Sequence, residues 1–199
     1  MAVTADKVKE LRDKTGAGMM DCKRALEECA GDLEKAISVL REKGAAVLAK
    51  RETKPTTEGT IACYIHTGGK IGVMVEIDCE TDFVAKTDEF KELAHDIAMH
   101  VSWSQPEYVS REDIPEKKVE QEREIHRQWA LNQGKPEAAL SKIVEGRMEK
   151  YFSTVVLTDQ PYIKDEELTI RELIREKAGK FGEKIVVRRF VRYRVGEMG

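Results

Sequence analysis

The sequence predicts an α+β protein with a small three-helix amino-terminal domain, a linker, and a core in which helices pack on an antiparallel sheet. Apolar residues recur at helical spacing in the first part of the chain and alternate with polar residues in two runs after residue 60. A charged segment with helical spacing predicts a projecting helical hairpin at about residues 113–151. We therefore expect a helical domain at 1–52 and an α+β core domain at 53–199.

The composition is typical of a globular protein without a dominant surface charge. The 199 residues are 41% hydrophobic and 36% charged, yet the charges nearly cancel to a formal net charge of -3. Overall charge therefore gives no reason to expect attraction to nucleic acid. Apolar runs in the sequence stay well short of the roughly 18 to 20 residues that a membrane span needs. We expect neither a membrane nor a direct nucleic-acid partner.

The cysteines and the amino terminus favour a cytoplasmic protein. The four cysteines form no CxxC pair and no cluster with histidine at zinc spacing. They are Cys22, Cys29, Cys63 and Cys79. Nothing at the amino terminus resembles a signal peptide, so reduced thiols in a cytoplasmic location are the interpretation that we prefer.

Three short helices are predicted in the amino-terminal domain. Their apolar positions are Val8 and Leu11 in the first, Cys22, Ala25, Leu26 and Cys29 in the second, and Leu33, Ala36, Ile37 and Leu40 in the third. Asp32 is placed to cap the third helix, and Gly44 is expected to end it. Residues 45–58 lose the apolar pattern and are predicted to form a linker.

Met19 and Met20 open the second helix and raise the question of a binding surface. Neighbours on a helix point about 100° apart, so both side chains cannot face one narrow core, and we expect one of them to be exposed. Methionine suits a binding surface but also fills gaps in cores, and the sequence leaves both interpretations open. Lys9 and Arg12 lie one turn apart on the first helix, where a solvated face is the simpler interpretation.

A β-hairpin and a helix are predicted next. Residues 61–66 and 71–79 alternate in polarity, and Thr67-Gly68-Gly69-Lys70 supplies the turn between them. A helix follows, with Thr87 as its expected N-cap, and it ends before Pro106. His95 and His100 on this helix are five residues apart and so lie on different faces. We therefore expect them to share no metal ion and to be exposed or partly buried.

The junction between this hairpin and this helix, Thr81-Asp82-Phe83-Val84-Ala85-Lys86, is the most informative stretch of the sequence. It places a large apolar ring beside a carboxylate at the rim of a sheet. Phe83 is either a plug that completes the core, with Asp82 as a helix cap, or a probe that is offered to a partner. From these residues alone the plug is the simpler interpretation, and the alternative stays open.

The carboxy-terminal part is predicted to contain a helical hairpin, an irregular segment at 153–165, a helix at 169–177 and a last strand at 185–195. The strand is expected to turn a basic face outward, carried by Arg188, Arg192 and Arg194. A basic strand and a charged hairpin leave a second function open, that of a ribosome- or RNA-associated binding module. A solvated sheet surface accounts for the same arginines more simply.

The sequence gives little support to an enzyme. HExxH, GxSxG, GxGxxG and Walker patterns are all missing from it. A cluster of Asp78, Glu80 and Asp82 with His66 could perform acid–base chemistry or bind a divalent ion, but a charge-rich rim is the commoner cause of such spacing. We therefore expect no covalent chemistry, no cofactor and no metal site.

Three motifs in order resemble the bacterial elongation factor Ts family, in its short, single-core form. They are residues 12–26 (RDKTGAGMMDCKRAL), the junction motif Thr81-Asp82-Phe83-Val84-Ala85-Lys86, and Gly134-Lys135-Pro136 with residues 143–148 (IVEGRM). The first two motifs are long and specific, and the match runs through essentially the whole chain. The resemblance implies a ubiquitin-associated-like amino-terminal domain, an α+β core and a projecting coiled hairpin.

The resemblance also implies a function and its residues. Members of the family are guanine-nucleotide exchange factors for elongation factor Tu in protein biosynthesis, and they make no covalent change. Their Thr-Asp-Phe-Val motif, here Thr81, Asp82, Phe83 and Val84, is associated with dislodging Mg²⁺ from the nucleotide site of the partner. Their amino-terminal contacts with the nucleotide-binding domain of the partner correspond here to Arg12, Met19 and Met20.

One departure from the family pattern leads to a hypothesis about assembly. Longer members carry two versions of the core, with Thr-Asp-Phe-Val in the first and Tyr-x-His before Ile-Gly-Val in the second. In this chain Tyr64-Ile65-His66 and the junction belong to one hairpin and its exit. We therefore expect a homodimer in which one protomer presents Phe83 and the other presents His66 to the same partner molecule.

Overall fold

The computed structural model describes residues 3–49 and 51–197, and it is an α+β structure with helices and a small antiparallel sheet, as predicted. Its residues fall into two compact units. The first unit comprises the described residues of Met1–Thr60, Asp78–Phe90 and Glu172–Val186, and the second comprises those of Ile61–Ile77, Lys91–Arg171 and Val187–Gly199. The division at residue 52 into two domains stays a prediction.

Three helices form the amino-terminal part of the first unit, and they occur where the apolar spacing predicts them. They are α1 (Ala5–Thr15), α2 (Met19–Glu28) and α3 (Leu33–Ala49). Their shared core consists of Val8, Leu11, Cys22, Ala25, Leu26 and Ala36. The hydroxyl of Thr4 caps α1, and the carboxylate of Asp32 accepts a 3.1 Å hydrogen bond from Lys35 N at the start of α3, as expected of a cap.

The prediction that Gly44 ends the third helix is wrong, because α3 continues through Gly44 to Ala49. A single glycine inside a helix costs only about 1 kcal/mol relative to alanine. The five residues after Gly44 are alanine, valine and leucine, and alanine and leucine are among the best helix formers. The helix therefore occupies the first part of the segment that was predicted to be a linker.

The main sheet has three strands in the order β1-β2-β5. They are β1 (Glu58–Ile65), β2 (Ile71–Cys79) and β5 (Val186–Arg194), and a smaller sheet pairs β3 (Pro161–Tyr162) with β4 (Asp165–Thr169) in antiparallel fashion. Strands β1 and β2 form the hairpin that the alternation of polarity in the sequence predicts. Strand β3 lies within the segment 153–165 that was expected to be irregular, and β4 begins at the last residue of that segment. Strand β3 is only two residues long and begins with Pro161, which is why the sequence pattern did not reveal it.

The other helices are α4 (Asp82–Ala85), α5 (Asp88–Ser104), α6 (Glu116–Asn132), α7 (Glu137–Val155) and α8 (Ile170–Phe181). The expected N-cap of α5 is confirmed, since Thr87 Oγ1 accepts a 3.2 Å hydrogen bond from Phe90 N. Helices α6 and α7 pack together as the predicted hairpin. The guanidinium of Arg147 on α7 lies 3.2 Å from the ring centre of Trp129 on α6.

The expectation that His100 is exposed or partly buried is wrong. Its side chain is fully buried, and its Nε2–H donates a 2.9 Å hydrogen bond to Gln160 Oε1. The orientation of the Gln160 amide is fixed, because its nitrogen donates to the carbonyl oxygens of Ser104 and Thr154. His100 Nδ1 has no hydrogen-bond partner, and burial lowers the pKa of the ring.

The expected orientation of the last strand is also wrong in part. Alternation breaks at Arg188 and Arg189, which are both exposed, so that Val191, Tyr193 and Val195 beyond them turn outward. Arg192 turns inward with a side chain only 10% exposed. Its guanidinium donates to Glu197, which explains how a charge is tolerated there.

Candidate functional site

The junction forms the short helix α4 between β2 and α5, and Thr81 is its N-cap. Thr81 has extended backbone angles (φ -129°, ψ 151°), and its hydroxyl accepts a 3.4 Å hydrogen bond from Val84 N. The expectation that Asp82 supplies the cap is therefore wrong, because the threonine one residue earlier has the geometry of a cap. Asp82 is instead the first residue of the helix, where a carboxylate is favoured by the helix dipole.

Phe83 is exposed to 81% of its full accessible area, so its interpretation as a core plug is wrong. The residue of α4 that faces the core is Ala85. The backbone around the ring is nonetheless well held, since Ala85 N donates to the carbonyl oxygen of Thr81 and Lys86 N donates to that of Asp82. The junction therefore presents a large apolar ring to solvent from a fixed turn.

Asp82 forms an ion pair one turn along the chain. Its Oδ2 accepts a 2.5 Å hydrogen bond from Lys86 Nζ, and this bond holds the pKa of Asp82 below its ordinary value and that of Lys86 above its ordinary value. The carboxylate beside Phe83 is therefore ionised at neutral pH. Both side chains remain substantially exposed, so the pair is accessible to a partner.

Two glutamates hold the start of the junction: Glu80, which the sequence suggested only as a possible acid–base or metal-binding residue, and Glu183, which it did not mark. Glu183, between α8 and β5, accepts hydrogen bonds from Glu80 N (3.1 Å), Thr81 N (3.0 Å) and the Thr81 hydroxyl (2.6 Å). Glu80 in turn accepts from Lys184 N (2.7 Å) and from Arg51 Nη1 (2.6 Å). We call Glu80 and Glu183 the carboxylate pair. Each binds the backbone of the segment to which the other belongs.

The thiol before the junction is buried and inert. Cys79 Sγ donates to the carbonyl oxygen of Thr81 at 3.2 Å. Burial, together with the nearby charge of Glu183, raises the pKa of this thiol to about 11. A thiol with such a pKa is a structural donor and not a nucleophile at neutral pH.

The amino-terminal residues predicted to bind a partner are all exposed in the first unit. Arg12 lies on the outer face of α1, and Met19 and Met20 at the start of α2 are 47% and 64% exposed. The expectation that one methionine is exposed is confirmed, and the other is exposed as well, because the buried face of α2 begins a turn later with Cys22, Ala25 and Leu26. The structure therefore offers two adjacent methionines that fill no gap in the core, and we call Met19 and Met20 the methionine surface.

The loop before these methionines lies against α8. Gly16 ends α1 in the left-handed region (φ 65°), and a Cβ added there would come within 2.6 to 2.9 Å of the aliphatic stem of Lys180. The ammonium group of Lys180 binds Glu89, which also lies 3.4 Å from Lys177. The loop that precedes Met19 therefore adjoins the end of α8, and the junction is bound by Glu183 in the turn that follows α8.

His66, the remaining predicted residue, belongs to the second unit. Its Nδ1 lies 3.2 Å from the hydroxyl of Tyr64, and the ring of Tyr64 packs edge-on against His95 with 5.6 Å between the ring centres. The two named residues of the Tyr-x-His motif therefore contact each other, and the ring of His66 is partly exposed.

The acidic residues considered for an enzyme do not converge. Asp78 is buried, Glu80 binds Arg51 and a backbone amide, and Asp82 binds Lys86. Within residues 3–49 and 51–197, no three His, Cys, Asp or Glu side chains lie close enough together to hold a metal ion. Over the same residues, every helix is too short or too polar to cross a membrane.

Comparison with known proteins identifies the family. The sequence profile described as Elongation factor TS matches residues 2–197. Elongation factor Ts of Carboxydothermus hydrogenoformans is 58% identical over 195 residues, which is 98% of this chain and 90% of that protein. The proteins of the same name from Moorella thermoacetica and Coprothermobacter proteolyticus are 57% and 54% identical, and the matches cover 98% and 99% of this chain and 96% and 100% of theirs. The chain belongs to the elongation factor Ts family.

Membership confirms the resemblance seen in the sequence motifs. The matched range of elongation factor Ts includes the junction, the methionine surface and the Tyr-x-His motif. The carboxylate pair lies in the same range, but no local motif marks it. The signal that could have indicated Glu183 is topological, because β2 ends and β5 begins beside each other in the sheet, so the residues after Cys79 meet those before Val186.

Proposed function

We propose that this chain is a guanine-nucleotide exchange factor of translation elongation, which binds elongation factor Tu and promotes the release of GDP so that GTP can bind. The observation that carries the proposal is the exposed ring of Phe83 on a fixed turn. A monomeric protein gains nothing for its own stability from such a ring. Preorganised aromatic rings are typical of residues that dominate binding energy.

The mechanism follows from what bound GDP requires. Nucleotide binding depends on Mg²⁺ and on ordered contacts to the phosphates. In our proposal Phe83 inserts between elements of the partner that hold this site, with Thr81 and Val84 fixing its backbone and the ionised Asp82 beside it. The metal shell is disturbed and GDP is released. The chain forms and breaks no covalent bond, so it needs no cofactor.

Release of the factor follows from linkage. If the chain lowers the affinity of its partner for nucleotide, then nucleotide lowers the affinity of the partner for the chain by the same factor. Fresh GTP therefore displaces the chain from nucleotide-free partner. Exchange is complete when the partner leaves with GTP and the chain is unchanged.

Initial docking is assigned to the amino-terminal helices. Arg12, Met19 and Met20 form an exposed surface that is flexible and polarizable at the methionines and charged at the arginine. We assign to helices α1–α3 the ubiquitin-associated-like fold of the family, and their compact shared core supports this assignment. The methionine surface holds the partner while the junction acts on its nucleotide site.

A homodimer forms part of the proposal, and an exposed apolar face of the main sheet supports it. A Cβ on Gly72 would lie 3.1 Å from Ile65, and Arg189 Nε binds Glu76, so alternate residues of all three strands share one face. Its exposed apolar members are Ile61, Ile65, Met74, Val191, Tyr193 and Val195. Such a face fits a second copy of itself across a two-fold axis, and the second protomer would supply His66.

The arginines of β5 give little support to the alternative of an RNA-binding module. Arg189 binds Glu76, and Arg192 and Arg194 both bind Glu197. Each of these arginines would have to exchange its carboxylate partner for a phosphate, which reduces the free energy gained when the nucleic acid releases its counterions. We therefore assign the sheet to assembly, in a cytoplasmic protein whose partner is elongation factor Tu.

The test is the release of labelled GDP from elongation factor Tu with Phe83→Ala. Loss of a dominant contact residue corresponds to a fall of about ten- to thirty-fold in the exchange rate. The free energy of unfolding should not change, because the ring is 81% exposed. Trp103→Ala is the matched control, since Trp103 is 72% exposed on α5 and has no assigned role. An exchange rate that Phe83→Ala leaves at the wild-type value would reject the proposal.

A further inference from the structure

We infer that Glu183 is a positioning residue for nucleotide exchange: its carboxylate orients the Thr81 cap and thereby fixes the turn that presents Phe83. The inference rests on the proposed function, because it assigns Glu183 a role through Phe83. Glu183 lies 100 residues further along the chain than Phe83 and itself reaches only the first residues of the junction.

The hydrogen bonds at Thr81 have a definite direction. The Thr81 hydroxyl donates its one proton to Glu183 Oε1 at 2.6 Å, so its lone pairs remain to accept from Val84 N at 3.4 Å. Without the carboxylate, the hydroxyl could rotate and donate elsewhere. Glu183 therefore determines both the rotamer of Thr81 and the capping of α4.

The same carboxylate satisfies the two backbone donors at the end of β2. Its Oε2 accepts from Glu80 N and from Thr81 N, at 3.1 and 3.0 Å. Three donors thus converge on one ionised group, and hydrogen bonds to ionised acceptors are about twice as strong as neutral ones. The direction in which the chain leaves the strand is set at this point, two residues before Phe83.

The segment that carries Glu183 is fixed in return. Glu80 accepts from Lys184 N at 2.7 Å and from Arg51 at 2.6 Å, and Lys184 Nζ donates to the carbonyl oxygen of Glu52. The carboxylate pair therefore joins the end of β2 to the start of β5 by hydrogen bonds in both directions. Phe83 makes no contribution to this arrangement and is free to meet a partner, which is what preorganisation of a binding residue requires.

The role predicts a specific kinetic defect for Glu183→Gln. The amide keeps one acceptor oxygen, but its NH₂ group cannot accept, so at least one of the three donors loses its partner. We expect the maximal exchange rate to fall about ten-fold, the equivalent of one lost hydrogen bond to a charged group. The factor concentration that gives half-maximal exchange should change less than two-fold, because the methionine surface is untouched.

Two matched variants separate this role from general structural damage. Glu89→Gln removes a carboxylate that binds α8 without touching residues 80–81, and it should exchange nucleotide as wild type does. Thr81→Val removes the hydroxyl that Glu183 orients and should therefore resemble Glu183→Gln. The double variant of Thr81→Val and Glu183→Gln should lose less than the product of the single losses, because both act on one hydrogen bond.

The experiment measures GDP release for these variants and for Phe83→Ala, with amide hydrogen exchange of the free protein at Thr81. The inference is supported if Glu183→Gln lowers the maximal rate and speeds exchange of the Thr81 amide while the protein stays folded. It is overturned, with the proposed function intact, if only Phe83→Ala lowers the rate. If Glu183→Gln lowers the rate and Phe83→Ala does not, Glu183 does not act through Phe83, and both statements are wrong.

Discussion

Lys86 Nζ lies 2.5 Å from Asp82 Oδ2. The turn that exposes Phe83 therefore also presents an ion pair whose two side chains are exposed to solvent. The two members of this pair should differ in their importance. Asp82 directly precedes Phe83, whereas Lys86 lies three residues after it and is 75% exposed as a side chain. An exposed pair of this kind contributes little to folding.

The first prediction follows from that difference. Asp82→Asn should lower the exchange rate about ten-fold, by analogy with other charged groups at the centre of an interface. Lys86→Met should change the rate less than about two-fold, because it removes only the partner that holds the carboxylate in place. Both are measured by GDP release from elongation factor Tu, with the unfolding transition as a control. Equal effects of the two substitutions would contradict this assignment.

The second prediction concerns docking. The double variant Met19→Ser and Met20→Ser should raise the factor concentration for half-maximal exchange by about ten-fold and leave the maximal rate nearly unchanged, because these side chains bind the partner uniformly. Stability should change little, since both side chains are exposed.

A buried residue of the same helices gives the contrast. Leu11 lies in the core that α1, α2 and α3 share. The substitution Leu11→Ala should therefore lower the free energy of unfolding by about 2–5 kcal/mol. Denaturant titration separates the two cases. A methionine double variant that loses maximal rate instead of affinity would show that the surface acts in the exchange step and not in docking.

The third prediction concerns the apolar face of the main sheet. Ile61→Glu should shift a dimer to monomers, because a carboxylate buried in an apolar interface without a partner is strongly unfavourable. Ile125→Glu is the matched control: Ile125 lies on α6, and both isoleucines are 57% exposed. Sedimentation at micromolar concentration measures the mass of each. A monomeric wild type that exchanges nucleotide at full rate would refute the homodimer.

The sequence indicated which residues form helices and strands better than it indicated which residues are buried. Periodicity placed α1, α2 and α5 correctly because an amphipathic face is encoded within one helix. Exposure of Phe83, and burial of His100 and Arg192, depend on what packs beside them. That information is tertiary, and for Phe83 the family resemblance was the only guide to it before the structure.

The carboxylate pair shows a second limit of sequence reasoning. Nothing near Glu183 marks it as part of the site, because its hydrogen-bond partners at residues 80 and 81 are more than 100 positions away. Sheet order alone brings these segments together. A residue that acts through the backbone of another segment carries no local signature, whereas a contact residue such as Phe83 stands out by its type and position.

The last prediction concerns His100 and the pH dependence of stability. Burial lowers the pKa of this ring in the folded protein, while the unfolded chain has the ordinary value of about 6.5. The unfolded state therefore binds a proton first as the pH falls. Stability should be fully present above about pH 6.5 and should decline below it, until the pH reaches the lowered pKa of the folded state. The slope for one proton is at most about 1.4 kcal/mol per pH unit.

The variant His100→Gln isolates this contribution. Its amide nitrogen can still donate to Gln160 Oε1, as His100 Nε2 does, but it does not titrate. The variant should be less stable than wild type at pH 7.5 because the amide fills the site less well than the ring. Its free energy of unfolding should change less than that of wild type between pH 7 and 5.5, because it lacks the contribution of His100. The other histidines, His66, His95 and His126, are present in both proteins and do not affect the comparison. Parallel curves for the two proteins in that range would show that His100 titrates equally in the folded and unfolded states.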